Sequence, residues 1–288
     1  MNPSAFHCSR QFAETPFGRI AYIERGAGPV ALFLHALPLC GYQWREEIED
    51  LAAVRRCIAP DLMGLGYSDV PAAQDLSFAE QARMVAAFLD ALGIDRVDLC
   101  GNDTGGGISQ IVAATYPSRV RTLTLTNCEV HDLWPNAMLT QFYETVAAGL
   151  AAEGMKAMLR DVDLARAQLS SVYEHAEGLT AEPVAVYFEP LVTSAKRVAQ
   201  LGQFSDWRKN RAQMVAMAPH LRTSTIPAQL IWGEADTAFD MRPSLAWLQS
   251  NLGGLKSTTT VPRAKLFFPE EHARLVSVML KEFWSSVS

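Results

Sequence analysis

The chain has 288 residues, of which 49% are hydrophobic and 19% are charged, and its formal net charge is −6. This is the composition of an ordinary globular protein, long enough for one α/β core with an insertion. The negative charge argues against nucleic acid or an anionic membrane as a partner, and no apolar run reaches the ~20 residues of a membrane span.

The first half of the chain alternates between strand and helix patterns. Short apolar or alternating runs predict strands at Gly18–Arg25, Val30–His35, Arg56–Leu62, Val97–Gly101 and Val120–Asn127. Helical spacing predicts helices at Phe78–Leu92 and Gly106–Tyr116, which end at Gly93 and Pro117. Strands that alternate with helices indicate an α/β fold with a mostly parallel, doubly wound sheet.

This alternation stops between residues 131 and 220. The segment contains only helical stretches, at Ala137–Leu159, Leu191–Leu201 and Trp207–Met217. Strand patterns then return, and a final helix follows, at Ala228–Trp232, Lys256–Val261 and Glu270–Ser285 respectively. We therefore predict a core of residues 1–130 and 221–288 with a helical cap, residues 131–220, inserted over an active site.

The segment Gly101–Gly105 has the form G-x-D-x-G and lies between a predicted strand and a predicted helix. This is the pattern of a nucleophile elbow, in which small flanking residues permit a sharp, strained turn. Such a turn would raise the Asp103 side chain above the sheet, at the N-terminus of the following helix. The alternative is a helix-capping aspartate in a glycine turn. We take Asp103 as the candidate nucleophile.

Two other loops carry candidate site residues. The loop after the Val30 strand is expected to supply one oxyanion-hole N–H and the residue after the nucleophile the other, which are the backbone groups of Leu37 and Thr104. His35 in the same loop is expected to brace it rather than to catalyse. Asp236 follows a strand in the pattern G-x-x-D, where an acid can orient a catalytic histidine or cap a turn.

These features resemble the haloalkane dehalogenase and epoxide hydrolase branch of the α/β-hydrolases. The likeness runs from about Gly18 to Phe283, and it is carried by the elbow, by the loop His35–Arg45 and by the cap phrase Leu179–Leu191. The resemblance implies that the Asp103 carboxylate attacks carbon and forms an alkyl ester, which water activated by a histidine–acid pair then hydrolyses. It places the acid at Asp236, and the alternative acid or its asparagine replacement at Asn127.

The sequence departs from this branch at the residues that bind the leaving group. Dehalogenases hold the halide with an asparagine and a tryptophan at the positions of Leu37 and Thr104, so this clamp is missing. Epoxide hydrolases protonate the epoxide oxygen with cap tyrosines. Tyr143, Tyr173 and Tyr187 lie in the predicted cap, but no spacing singles out a pair.

The sequence also departs at the catalytic histidine. The phrase G-x-H-F-x-x-E of this branch matches the segment from Arg263 to Glu271 and puts Leu266 at the position of the histidine, while Phe283 keeps its expected place. His272 lies six residues later, about 9 Å along a helix, and would replace the base only in a rebuilt loop. His131, at the cap entrance, is the other candidate.

Three functions therefore remain open. The first is an epoxide hydrolase-like or dehalogenase-like hydrolase that uses Asp103, Asp236 and His272 on a small apolar substrate. The second is a lyase, isomerase or cyclase that uses Asp103 as a general acid or base, and the third is a binding protein without activity. We expect no cofactor, no metal site, no nucleic acid partner and no membrane partner; the sequence leaves the oligomeric state open.

The five cysteines are scattered and form no C-x-x-C pair. An odd, separated set favours reduced thiols and a cytoplasmic location, and it argues against a structural zinc site. The first residues contain no apolar stretch, so we expect no signal peptide.

Overall fold

A computed structural model describes residues 1–287 and contains one sheet of eight strands. In chain order the strands are β1 (Gln11–Thr15), β2 (Gly18–Arg25), β3 (Val30–Leu34), β4 (Arg56–Pro60), β5 (Val97–Asn102), β6 (Val120–Thr126), β7 (Ala228–Gly233) and β8 (Leu255–Val261). Their order across the sheet is β1-β2-β4-β3-β5-β6-β7-β8. β1 and β2 are antiparallel to their neighbours, and the strands from β4 to β8 are parallel. The predicted mostly parallel α/β sheet is confirmed.

Helices lie on both sides of this sheet. The helices of the sheet-bearing part are α1 (Pro3–Ser9), α2 (Arg45–Leu51), α3 (Phe78–Ala91), α4 (Thr104–Thr115), α11 (Met241–Asn251), α12 (Phe268–Glu271) and α13 (Ala273–Ser286). Every residue of β3, β5 and β7 is buried, as expected for parallel strands with both faces covered by helices. Within residues 1–287, none of the helices combines the length and the apolar character that crossing a bilayer requires.

Between β6 and β7 the chain forms six helices. We call these helices and the loops that join them the helical block. Its members are α5 (Ala137–Ala147), α6 (Leu150–Arg160), α7 (Val162–Leu169), α8 (Ala181–Val192), α9 (Ala195–Gln203) and α10 (Trp207–Thr223).

Three predicted helices are each divided in the structure. The predicted helix from Ala137 to Leu159 is divided at Gly149, whose φ of 72° is left-handed and interrupts a right-handed helix. The predicted helix from Leu191 to Leu201 is divided at Ser194, whose hydroxyl caps α9. The predicted closing helix is divided at His272, which falls between α12 and α13.

A buried polar cluster joins the helical block to the core. Glu270 accepts hydrogen bonds from the hydroxyls of Tyr173 at 2.6 Å and Tyr187 at 2.8 Å, and it forms an ion pair with Arg45. Tyr173 and Tyr187 belong to the helical block, whereas Arg45 and Glu270 belong to the core. Losing either charge would leave the other buried and unpaired, so the cluster fixes the orientation of the block.

Candidate active site

Asp103 lies at a strained turn between β5 and α4. Its φ of 52° and ψ of −129° are rare for a residue with a side chain, and such strain persists only where the surrounding structure enforces it. The neighbouring glycines allow the turn. A Cβ atom on Gly101 would lie 2.4 Å from the carbonyl oxygen of Gly105, and one on Gly105 would lie 2.2 Å from the carbonyl oxygen of Leu34. The local geometry is that of the predicted elbow.

Two backbone N–H groups hold the Asp103 carboxylate. The N–H of Leu37 donates to Asp103 Oδ2 at 2.8 Å, and the N–H of Thr104 also donates to this side chain. These are the two N–H groups that the sequence predicts as the donors of an oxyanion hole. In the structure they bind the carboxylate of the elbow residue itself and fix its orientation.

Asp103 opens into a cavity of about 220 Å³ between the core and the helical block. Its lining is predominantly apolar: Leu37, Pro38, Met138, Leu139, Phe142, Met155, Met158, Leu169, Val172, Phe188, Leu266 and Phe267. The polar lining residues are Asp103, Tyr143, Gln168 and Ser171, and this lining includes no lysine, arginine or histidine.

Burial raises the pKa of Asp103 to about 7. The N–H groups of Leu37 and Thr104 oppose this rise by favouring the ionised form, and the nearby charge of Asp236 adds to it. At neutral pH the side chain is therefore present both as an acid and as a base.

Asp236 and Asn127 meet at the carboxyl ends of β7 and β6, which are neighbouring parallel strands. Asn127 Nδ2 donates to Asp236 Oδ2 at 2.8 Å, and Asn127 Oδ1 accepts from the N–H of Gly233 at 2.6 Å. The N–H of Ala238 donates to Asp236 Oδ1 at 2.8 Å. Burial raises the pKa of Asp236 to about 6, although these donors oppose the rise.

Leu266 occupies the position that the resemblance assigns to the catalytic histidine. Its side chain lines the same cavity as Asp103, and its carbonyl oxygen accepts a hydrogen bond of 3.1 Å from Asn102 Nδ2. The loop after β8 therefore lies against the elbow, and at this position it presents an aliphatic side chain.

His272 is not part of the cavity lining. It lies between α12 and α13, and its Nε2 forms a hydrogen bond of 2.9 Å with Glu174 Oε2 in the helical block. The sequence predicted that His272 lies inside a continuous helix and that it would replace the base only in a rebuilt loop. The break before α13 instead directs the ring towards Glu174, and no hydrogen bond among the described residues joins His272 to Asp236.

The other histidines near the site also have structural partners. His131 stacks on Trp247 with ring centroids 4.7 Å apart, and its Nδ1 bonds with Asp132. His35 is fully buried, and its Nε2 accepts from the N–H of Leu62 at 2.9 Å. Burial lowers the pKa of His35 to about 4, so it stays neutral and braces the loop as expected.

Sequence reasoning missed Glu129. Its side chain is fully buried, and Glu129 Oε1 accepts a hydrogen bond of 3.2 Å from the hydroxyl of Thr104, the residue that follows Asp103. Burial and the nearby Asp103 charge raise the pKa of Glu129 well above its ordinary value. The available signal was an acidic residue two positions after Asn127, in a loop leaving the carboxyl edge of the sheet.

Of the three tyrosines Tyr143, Tyr173 and Tyr187 in the helical block, Tyr143 on α5 is the one that lines the cavity. Burial and the charges of Glu129 and Asp103 raise the pKa of its hydroxyl well above 10, so it remains protonated and available as a donor. Tyr173 and Tyr187 are instead bonded to Glu270. Among residues 1–287, no three His, Cys, Asp or Glu side chains are grouped so as to hold a metal ion.

The fold and the elbow together define an α/β-hydrolase with an aspartate at the nucleophile position. A family model described as alpha/beta hydrolase fold matches residues 29–261. The chain is 27% identical over 285 residues to haloalkane dehalogenase 2 of Mycobacterium tuberculosis, covering 98% of this chain and 97% of the relative. It is 32% identical over 225 residues to a haloalkane dehalogenase of Mesorhizobium japonicum, covering 75% and 72%.

Among solved structures, the epoxide hydrolase CorEH is similar with a TM-score of 0.79 and 24% identity, covering 97% of this chain and 99% of that one. The chain belongs to the α/β-hydrolase-fold family of enzymes, in the branch of haloalkane dehalogenases and epoxide hydrolases.

Proposed function

We propose that this enzyme acts through Asp103 on a small, uncharged, apolar organic substrate, and that Asp103 transfers protons rather than carrying an ester to hydrolysis. The observation that carries the proposal is Leu266, which lines the cavity beside Asp103 where an ester-hydrolysing relative would need its base. An aspartyl alkyl ester reacts poorly with neutral water, and general-base help is typically worth ~10²–10⁴ in rate. An enzyme without that base would accumulate the aspartyl ester and stop turning over.

The cavity supports the proposed substrate class. Its lining offers aliphatic and aromatic surface from the core and from the helical block. We propose that the helical block acts as the cap that the sequence predicts at residues 131–220. Gln168 and Ser171 can position one polar group of the substrate. A charged substrate would be buried without a counter-charge other than the acidic Asp103, which is unfavourable.

Asp103 has the properties of a general acid–base group. Its carboxylate is fixed by the N–H groups of Leu37 and Thr104, and its pKa of about 7 matches neutral pH, where a proton-transfer catalyst is most effective. It could remove a proton from carbon next to a carbonyl group and return it at another position. The Tyr143 hydroxyl, which stays protonated, would donate a hydrogen bond to the oxygen on which negative charge develops.

A second candidate is an epoxide hydrolase-like reaction through an Asp103 ester. The strained elbow, the two N–H groups on the carboxylate and the Asn127–Asp236 pair support it, because the resembled branch uses these parts for attack on carbon. Tyr143 would protonate the epoxide oxygen. Since Leu37 and Thr104 replace the halide clamp, an epoxide is favoured over a haloalkane.

One experiment separates the two routes. The wild type and Asp103→Asn are incubated with acetophenone in D2O and with styrene oxide in H2O; NMR measures deuterium uptake and diol formation, and intact-protein mass spectrometry measures adducts. Deuterium uptake by the wild type alone supports proton transfer. An epoxide-sized adduct, or diol, that requires Asp103 supports the ester route. Equal behaviour of both proteins in every assay would reject both for these substrate classes. His272→Ala serves as a matched control that should behave as the wild type.

A further inference from the structure

A second buried carboxyl group lies directly behind the elbow. Glu129 has no solvent exposure, and only one of its two carboxyl oxygens has a partner, which is the Thr104 hydroxyl at 3.2 Å. The other oxygen, Oε2, is buried and has no hydrogen-bond partner among the described residues. Buried polar atoms are nearly always paired, so an unpaired carboxyl oxygen beside a reactive residue needs a functional explanation.

The surrounding chain is built to accommodate this carboxyl group. A Cβ atom on Gly107 would lie 3.1 Å from Glu129 Oε2 and 2.8 Å from Phe78 Cε2, so any larger residue would press on both side chains. Gln110 Nε2 donates to the carbonyl oxygen of Glu129 at 2.8 Å and fixes the loop. Gly107 and Gln110 lie on the same helix that begins at the elbow, so α4 positions Asp103 and Glu129 together.

No cation compensates the charge of this pair. The titratable groups that act on Glu129 or share its surroundings are Asp103, Asp236, Tyr143 and the Cys128 thiol. Within residues 1–287, no lysine, arginine or histidine lies within salt-bridge distance of Glu129 or Asp103. Two ionised carboxylates buried together without a cation are strongly unfavourable, so one of them must keep its proton.

We propose that Asp103 and Glu129, linked through Thr104, form one titrating unit that carries at most one negative charge at neutral pH, with Glu129 holding its proton whether or not Asp103 is ionised. Glu129 is then a positioning residue, because it binds the Thr104 hydroxyl and leaves the negative charge on the carboxyl group that faces the substrate. The inference deepens the proposed function, and its catalytic consequence rests on Asp103 being the reacting group. The titration of Asp103 and Glu129 can be measured without a substrate.

The ionisation of Glu129 is measured directly by NMR of protein labelled with ¹³C at glutamate carboxyl carbons. Comparison with Glu129→Gln identifies the Glu129 signal and separates it from Glu47, which is also fully buried. In the wild type, Glu129 should remain protonated at pH 7, and in Asp103→Asn its midpoint should fall because the neighbouring charge is gone. A Glu129 signal that is already ionised at pH 7, or an equal midpoint in both proteins, would overturn the proposal.

The reciprocal measurement uses ¹³C-labelled aspartate carboxyl carbons to follow Asp103. Glu129→Gln should keep the Asp103 midpoint within about half a pH unit of the wild type, because a neutral amide oxygen still accepts from Thr104. A fall of about one unit or more would show that Glu129 is charged in the wild type. Thr104→Val removes the hydroxyl that donates to Glu129 and favours its ionised form, so the Glu129 midpoint should rise further in this variant; a midpoint that falls would also contradict the proposal.

The catalytic consequence is tested separately by isotope exchange. If the wild type exchanges substrate protons, Glu129→Gln should retain most of that rate with the same pH profile, whereas Glu129→Leu, which cannot bind Thr104, should lose at least about tenfold. Unaltered exchange in Glu129→Leu would overturn the positioning role. If the wild type shows no exchange while the NMR titrations behave as expected, the proposed function fails and the titrating unit stands.

Discussion

The carbonyl oxygen of Leu266 accepts a hydrogen bond of 3.1 Å from Asn102 Nδ2, the residue immediately before Asp103. Asn102 is itself held by Gln43, whose Nε2 donates to Asn102 Oδ1 at 2.8 Å. The loop after β8 is therefore fixed against the elbow, and Leu266 is a fixed part of the cavity wall.

This relationship predicts the result of restoring a histidine. In Leu266→His, the new imidazole would enter the cavity beside Asp103. We expect hydrolysis of an aryl epoxide to rise by ~10²–10⁴ relative to the wild type, the usual effect of a general base. Diol formation measured by NMR checks this. Leu266→Gln is the matched control, and an equal gain in that variant would contradict the prediction.

The stability of Asp103→Asn should depend on pH differently from that of the wild type. Because folding raises the pKa of Asp103 from 3.8 to about 7, the folded state binds this proton more tightly than the unfolded state. The contribution of the Asp103 carboxyl group to the free energy of unfolding is fully present below about pH 4, and it is lost as the pH rises towards 7. Asparagine, which tolerates a positive φ, has no such loss.

The gain in stability of Asp103→Asn over the wild type should therefore increase between pH 4.5 and 8, by an upper value of about 3 kcal/mol. Urea unfolding at both pH values measures it. A constant difference across this range would show that Asp103 is not buried with a raised pKa.

Asp236→Asn tests whether the acid still serves a catalytic base. The structure shows Asp236 bonded to Asn127 and to backbone N–H groups, with no histidine to orient, so we expect less than about a tenfold loss in any Asp103-dependent rate. A loss as complete as that of Asp103→Asn would place Asp236 directly in the mechanism.

His272→Ala should leave the Asp103-dependent rate unchanged. The ring bonds to Glu174 in the helical block and does not line the cavity, so its removal affects only a contact between the block and α13. Rates are compared with the wild type across pH 6–8. A collapse of turnover together with an adduct on Asp103 would restore His272 as the base.

The sequence alone determined the parts of this protein that depend on local patterns. Strand and helix periodicity predicted the parallel sheet, and the glycines around Asp103 predicted the strained elbow. Both follow from backbone geometry that a short segment imposes on itself. The roles of Asp236 and Asn127 and the loss of a histidine at Leu266 came instead from the resemblance to the dehalogenase and epoxide hydrolase branch.

Tertiary structure alone decided which side chains meet around Asp103. His272 forms a hydrogen bond with Glu174, and Glu129 accepts one from Thr104 at the elbow. The spacing of these residues in the sequence predicts neither contact. Tyr143 on α5 lines the same cavity as Asp103, to which it is not linked by any pattern in the sequence. These contacts join segments far apart in the chain, and their side-chain directions are set by packing and by the cost of burying charge, which periodicity does not report.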